Sequence, residues 1–315
     1  MEPSATRFLR CVGCDVGKAE IVVFDTASGK TSKLANQPAA LAGFAAGLDG
    51  NCLVICEATG GYEADLLAAV LTAGIAAHRA DARKVKAFIR SFGQLAKTDA
   101  LDARALAQYG LERQHRLALW QAADPARLHL QHLVLLRRSL VDDLGAYKNR
   151  LSAPNNTAVA DVLAPLLACF AAQIAEVEAK IHTLLAAEPE LTADINVLRS
   201  VPGLGDVTAP ALLALMPELG TLTRRQAAAL AGLAPHPRQS GSKDGYRLTR
   251  GGRPQIKQTL FMAGLSAARK YSPFNAYYEK LRQAGKKPIV AVIAIMRKII
   301  TIANARLKER YQNVS

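Results

Sequence analysis

The chain has 315 residues, 50% of them hydrophobic and 21% charged, a balance that excludes a disordered protein and suggests about two domains. Forty Lys and Arg against 26 Asp and Glu give a formal net charge of +14, which points to a polyanionic partner, nucleic acid before membrane. Five cysteines, an odd count in a long chain, argue against a disulfide framework.

In chain order, residues 9–16, 20–25 and about 30–35 read as three short strands, with Gly17-Lys18 and Ser28-Gly29 at the turns. A helix is expected over 38–48, a buried central strand over 52–56 (CLVIC) and a helix over 62–73. A strand at 75–79 follows, then a basic helix at 82–91 carrying Arg83, Lys84, Lys86 and Arg90, then a helix at 99–113. This is a mixed α/β layer. Cys11 and Cys14 have CxxC spacing and Cys52 and Cys56 lie four apart, but both pairs sit in apolar strand runs. Buried strand cysteines are therefore expected rather than a zinc or redox site.

From about Pro125 to Glu188 glycine nearly vanishes and two leucine-rich stripes recur at helical spacing, one from Leu133 to Leu151 and one from Leu163 to Leu184. Pro154-Asn155-Asn156 breaks them. The pattern suits an intramolecular hairpin or a coiled-coil dimerisation arm, and the stripe length favours the arm. A third region from Asn196 is expected to be helical and basic, ending in a helix over 288–310. No membrane span is expected: Asp161, Pro165 and Gln173 interrupt residues 158–175, and the run Ile289 to Met296 is far short of roughly 20 residues. With no signal peptide visible, a cytoplasmic location is expected.

Three constellations carry chemistry. Asp15 and Glu57 end apolar strands, and Asp99 and Asp102 lie three apart on one helix. Four hard oxygen donors converging at a sheet edge suit Mg²⁺ or Mn²⁺ and phosphodiester displacement; singly, each could be a strand end, a cap or a surface ion pair. Leu198, Val201-Pro202-Gly203-Leu204-Gly205 and Ala209 have the spacing of a helix–hairpin–helix, whose glycines admit a phosphate, or of an ordinary helix turn. Residues 235–257 hold Arg238, Lys243, Arg247, Arg250, Arg253 and Lys257 against Asp244 alone, with Ser240 before Gly241. This is a solvated basic loop or a phosphate-binding one, and a serine in that field could attack a phosphodiester.

The order C-D-V-G-K, I-C-E-A-T-G-G-Y, K-T-D-A-L-D-A-R, V-P-G-L-G, A-G-L-A-P and S-G-S resembles the DEDD transposases of insertion-sequence family one-hundred-ten. That group includes Piv-like site-specific DNA invertases and bridge-RNA-guided recombinases. The resemblance implies an α/β plus all-α chain: an RNase H-like (RuvC-like) mixed-sheet domain over 1–115, a coiled-coil dimerisation connector over 116–195 and a mainly helical transposase domain over 196–315. It further implies a metal-binding tetrad of Asp15, Glu57, Asp99 and Asp102 taking Mg²⁺ or Mn²⁺, and Ser240 as the nucleophile that joins DNA. Ser242 lies two residues away, so Ser240 is chosen by its place before Gly241. The implied partners are donor and target DNA, a bridge RNA and further copies of the chain as a dimer or tetramer, in the cytoplasm of a bacterium at its nucleoid. Arg83, Lys84, Lys86 and Arg90, Gly203 and Gly205, and the six cations of 235–257 would hold nucleic acid.

Other readings explain less. A junction-resolving nuclease would share the acids but need no serine. A DNA-binding module without catalysis leaves the four acids unused. D-V-G-K followed by V-V-F-D also resembles the phosphate hairpin of actin-like sugar kinases, but the second Asp-Gly hairpin and glycine-rich adenosine motif of those enzymes are missing from the sequence.

Overall fold

The computed structural model describes residues 8–91, 98–122, 124–154, 156, 159–240 and 243–314. They form two compact units, Met1–Ala122 and Ala123–Ser315.

In the first unit, β1 (Arg10–Val16), β2 (Glu20–Asp25), β3 (Thr31–Ala35), β4 (Cys52–Glu57) and β5 (Ala76–Ala80) make a sheet of order β3-β2-β1-β4-β5. The first three strands form an antiparallel meander, whereas β1, β4 and β5 run parallel. Helix α2 (Ala64–Thr72) links β4 to β5, as a parallel pair requires. Val12, Cys14, Val54 and Cys56 pack against Leu41 of α1 (Pro38–Ala46) and Leu66, Leu67 and Val70 of α2. Cys11, Leu53 and Ile55 pack on the other face against Val85 and Phe88 of α3 (Ala82–Ser91) and Leu106 and Tyr109 of α4 (Asp99–Arg113). With helices on both faces, the central strands read as continuous apolar runs. This three-layer arrangement is compatible with the RNase H-like fold that the resemblance implies.

Alternation along a strand puts Cys11 and Cys14 on opposite faces, so the CxxC pair cannot converge on one ion. Cys11, Cys14, Cys52 and Cys56 are all buried, and burial pushes the Cys11 thiol up to about 11 and the Cys52 and Cys56 thiols up to about 12.

The second unit is built on helices. α5 (Pro125–Leu151) and α6 (Ala160–Ala187) run antiparallel: Arg137 Nε donates to Glu178 at 2.8 Å, and further out the Tyr147 and Phe170 rings lie 5.6 Å apart. The leucine stripes thus face each other within one chain. Intramolecular pairing gives part of each stripe a partner, because a heptad stripe does not specify which helix covers it, while Leu136, Val141 and Val162 stay exposed. The inner end of this pair, at Leu130, Leu133, Val134, Val177, Ile181 and Leu185, shares one core with α7 (Pro189–Arg199), α8 (Thr208–Leu215), α10 (Pro254–Ala267) and α12 (Pro288–Val314). The expected connector and the expected third region therefore share one hydrophobic core.

Two elements differ from expectation. Residues 235–257, read as a loop, contain an antiparallel hairpin of β6 (Pro235–Ser240) and β7 (Lys243–Thr249), with Ser240 opposite Lys243. Also, α6 and α12 are both long and apolar enough to cross a membrane by length and composition. Pro165 lies inside α6 without ending it. In α12, Ala291, Ile295, Ile299, Ile300 and Ala303 are fully buried in the core of the unit, and α6 packs along α5.

Asp194 of α7, almost fully buried, anchors this core by charge. It accepts from Arg127 Nη2 at 2.5 Å, Arg310 Nε at 2.7 Å and Tyr311 Oη at 3.0 Å, tying α5, α7 and α12 together.

Candidate active site

The four predicted acids belong to the first unit, on three elements. Cys14 of β1 is paired in register with Cys56 of β4, so Asp15 and Glu57 are the next residues on two adjacent parallel strands. Cys14 and Cys56 belong to the α1–α2 face, which puts Asp15 and Glu57 on the opposite face, the one covered by α4. Both are half-buried.

Glycine decides how close α4 comes. A Cβ on Gly13 would collide with the Ala103 carbonyl oxygen, and one on Gly110 would lie 2.7 Å from the Ile55 side chain and 3.2 Å from Cys11 Sγ. The helix therefore lies on the strand backbone with Ala103 over Gly13 and Gly110 over Cys11. That direction carries its N-terminus toward the C-terminal ends of β1 and β4, where Asp15 and Glu57 sit. Thr98 caps the helix, its Oγ1 accepting from Leu101 N–H at 3.3 Å, and Asp99 and Asp102 fall in the first turn. The positive end of the helix dipole stabilises carboxylates at that position. Lys33, opposite Val22, which in turn is opposite Asp15, stands on the same face. Its ammonium donates to Glu20 Oε1 at 2.6 Å and is raised above the ordinary lysine value first by that hydrogen bond and, more weakly, by the charge of Asp99.

Asp15, Glu57, Asp99 and Asp102 thus sit at one end of one sheet face, half-buried or exposed. Their donor chemistry fits a hard divalent cation, whose charge would offset the mutual repulsion of gathered carboxylates. Among the described residues, however, no three His, Cys, Asp or Glu side chains lie close enough together to hold an ion. The edge presents the donors without closing them on a centre.

The loop after Glu57 has an organiser that sequence reading missed. Glu63 is 4% exposed and accepts from Thr59 N–H at 3.1 Å, Thr59 Oγ1 at 3.0 Å and Gly61 N–H at 2.9 Å, with Arg79 at 3.4 Å. Burial pushes its carboxyl up, but the donated backbone and hydroxyl hydrogen bonds outweigh burial and hold it below the ordinary value. Gly60 and Gly61, with φ of 76° and 110°, turn the backbone so that its N–H groups point at one acceptor. The Gly-Gly turn is visible in the sequence, but the role of Glu63 as its acceptor is not.

The predicted nucleic-acid residues fall into three places. Arg83, Lys84, Lys86 and Arg90 are all exposed on α3, whose Val85 and Phe88 are buried; Arg83 is paired to Asp81 at 3.2 Å. In the turn after α7, Gly203 has φ of 93° and lies against α10, where a Cβ would come 2.7 Å from the Ala263 carbonyl oxygen. The Gly205 N–H donates to Thr208 Oγ1 at 2.7 Å. Both glycines therefore have a structural use within the unit. In the basic hairpin, Arg238 and Ser240 lie on β6 and Lys243 and Arg247 on β7, while Gly241 and Ser242 lie outside the described residues. Arg250 is exposed. Arg253 is held by Glu218 at 2.6 and 2.8 Å, and Lys257 Nζ donates to Thr249 Oγ1 at 3.2 Å; these two have partners inside the protein.

Residues 12–154 match the family model described as Transposase, the DEDD type of IS110, and residues 195–279 match the one described as Transposase IS116/IS110/IS902 family. The chain is 28% identical over 260 residues to the pilin gene-inverting protein of Moraxella lacunata, covering 81% of this chain and 80% of that protein. The pilin gene-inverting protein of Moraxella bovis is 28% identical over 229 residues, 71% and 70% of the two chains. The IS110 uncharacterized 43.6 kDa protein of Streptomyces coelicolor is 30% identical over 182 residues, 55% and 44% of the two.

Proposed function

This chain belongs to the IS110 family of DEDD transposases and is a DNA transposase or recombinase, and from that premise we propose how its own residues do the work. The observation that carries the reading is the placement of Asp15 and Glu57 side by side at the end of β1 and β4, on the face where α4 brings in Asp99 and Asp102. These four would hold Mg²⁺ or Mn²⁺, which when bound supplies Lewis-acid stabilisation of the oxygens in a phosphodiester displacement. Asp15 and Glu57 provide the rigid pair, fixed by the sheet. Asp99 and Asp102 ride on a helix whose position depends on contact at Gly13 and Gly110.

Ser240 acts as the nucleophile: its oxygen attacks phosphorus, forms a serine–phosphate ester with one end of the cut strand and releases the other end of that strand as an alcohol, the serine proton balancing the one the leaving oxygen takes up. The cations of residues 235–257, Arg250 among them, stabilise the developing negative charge. The four cations of α3 hold nucleic acid, including a bridge RNA that selects donor and target DNA, and copies of the chain assemble as a dimer or tetramer in the bacterial cytoplasm at the nucleoid.

The test uses the intact chain and supercoiled donor and target DNA. Asp15→Asn and Glu57→Gln should abolish cleavage, whereas Ser240→Ala should abolish covalent protein–DNA adducts with nucleic-acid binding intact. Adducts that survive Ser240→Ala and vanish in Ser242→Ala would move the nucleophile, and cleavage by Ser240→Ala at the wild-type rate would replace this reading with a junction nuclease. A second reading, inversion of a DNA segment without a guide, is favoured by the two relatives that are pilin gene-inverting proteins. Co-purification with the flanking non-coding DNA separates them: one enriched structured RNA supports guidance, and random or no RNA supports inversion.

A further inference from the structure

A strongly positive stretch of the second unit lies outside both the acid edge and the Ser240 hairpin. Residues 269–298 hold eight Lys and Arg against Glu279 alone, a greater excess than residues 235–257 carry. Among the described residues none of the eight is ion-paired. Near its start, directly after Arg269 and Lys270, stands Tyr271, 94% exposed, on the turn between α10 and α11 (Asn275–Gln283).

The turn that carries Tyr271 is held in place. Ser272 N–H donates to the Arg269 carbonyl at 2.9 Å, Asn275 Nδ2 donates to the Ala268 carbonyl at 3.0 Å, and Phe274 beneath is buried. Tyr271 therefore projects from a fixed base with almost none of its ring covered. A single exposed aromatic residue is ordinary. Here two cations precede it in the chain, Arg269 and Lys270, and Lys270 Nζ lies 5.9 Å from the Tyr271 ring; Lys298 Nζ lies 6.0 Å from the ring of Phe274 on the same turn and 4.1 Å from the Tyr277 ring. The V-P-G-L-G turn adjoins the same end of α10, since a Cβ on Gly203 would be 3.0 Å from Ala267 Cβ.

We infer that Tyr271 is a stacking platform for an unpaired nucleobase, with the neighbouring Arg269 and Lys270 for the adjoining phosphates. An open ring beside unpaired cations is what a single strand needs, because every base has a face to stack while its backbone supplies regular negative charge. A duplex offers no free base face, so it would use the cations and not the ring. The ligand class is thus single-stranded nucleic acid, DNA or RNA. The inference deepens the recombinase reading and rests on it for the expectation that unpaired strands occur.

The experiment is fluorescence anisotropy of the full chain with labelled 12-mers of oligo-dT and oligo-U and with a duplex of equal length. Tyr271→Ala should weaken single-strand binding by about ten- to a hundredfold, leave duplex binding unchanged and leave the circular dichroism spectrum intact. Tyr271→Trp should restore binding. Lys270→Ala should weaken all three ligands and lower the salt slope by about one. A larger loss on oligo-U assigns the site to RNA and a larger loss on oligo-dT assigns it to DNA. No change on either single strand, or equal losses on strands and duplex, would overturn the inference. Because binding is read apart from recombination, a chain that recombines DNA but binds strands independently of Tyr271 loses only this inference. A chain that shows Tyr271-dependent binding yet never cleaves DNA loses only the proposed function.

Discussion

The acid edge of the first unit and the basic hairpin of the second place their polar groups in different ways. Asp15 and Glu57 extend from strands whose other residues are buried on both faces, so their position follows from the packing of Cys11, Val12, Leu53, Val54 and Ile55. Ser240, Arg238 and Arg247 lie on a two-stranded ribbon, and α8, α10 and α12 supply the core of that unit. The acid edge is thus set by strands buried on both faces, whereas the hairpin is set by the pairing of two strands alone. The helix that completes the acid edge depends on two glycines, while the fold of the second unit depends on one buried carboxylate.

The largest effect that would sharpen this contrast is at Asp194. Asp194→Ala leaves Arg127 and Arg310 without their buried partner and should cost about 3 kcal/mol in chemical denaturation, with the first unit's transition unmoved. If both units lose stability together, they are not energetically separate. Gly13→Ala comes next. Its methyl group would press on Ala103 and Ala107 of α4 and should cost about 2 kcal/mol, and by displacing Asp99 and Asp102 it should remove DNA cleavage while the Asp15–Glu57 pair remains. Full cleavage by Gly13→Ala would show that α4 can shift without consequence for the edge.

A smaller, pH-dependent effect concerns Glu63. Its carboxyl binds a proton more weakly in the folded chain than in the unfolded one, so its contribution to stability is complete above the ordinary value of 4.5 and declines as the pH falls through the depressed folded value. Glu63→Gln should therefore flatten the acid limb of the first unit's stability profile. An unchanged acid limb would show that the loop after Glu57 is organised without it. Smallest is the Arg253–Glu218 pair, both members roughly one-third exposed. A double-mutant cycle should give a coupling of about 1 kcal/mol, and a larger value would mean that the base of the basic hairpin is as firmly fixed as the acid edge.

Much of the first unit was legible in the sequence, including strands at 10–16, 20–25 and 52–57 and helices at 82–91 and 99–113, because short apolar runs and Gly or Pro turns carry their own period. The acids were legible as strand ends and as a D-x-x-D turn. Glu63 was not, because a buried acceptor is recognised only once the N–H groups that point at it are known. The β6–β7 hairpin is hard to detect in the sequence because Pro235, Pro237, Gly241 and Gly245 punctuate it and apolar alternation is limited to Tyr246 and Leu248. The stripe from Leu133 to Leu151 does not name its partner in the sequence; the structure pairs it with α6 of the same chain.

By itself the sequence determined that this is a basic protein with a mixed α/β layer, a long helical pair and a family pattern of four acids and a late serine. Local period, turn residues and charge are properties of neighbours in the chain, so they can be read without coordinates. The tertiary structure decided what depends on distant contacts. It put Asp15 beside Glu57 by strand register, brought Asp99 and Asp102 to their edge through backbone contact at Gly13, and turned the leucine stripes toward each other. It also tied Arg253 to Glu218 while leaving Tyr271 bare beside Lys270. Which partner a residue meets is set by packing across the fold, where a missing Cβ or one buried carboxylate decides how closely two elements approach.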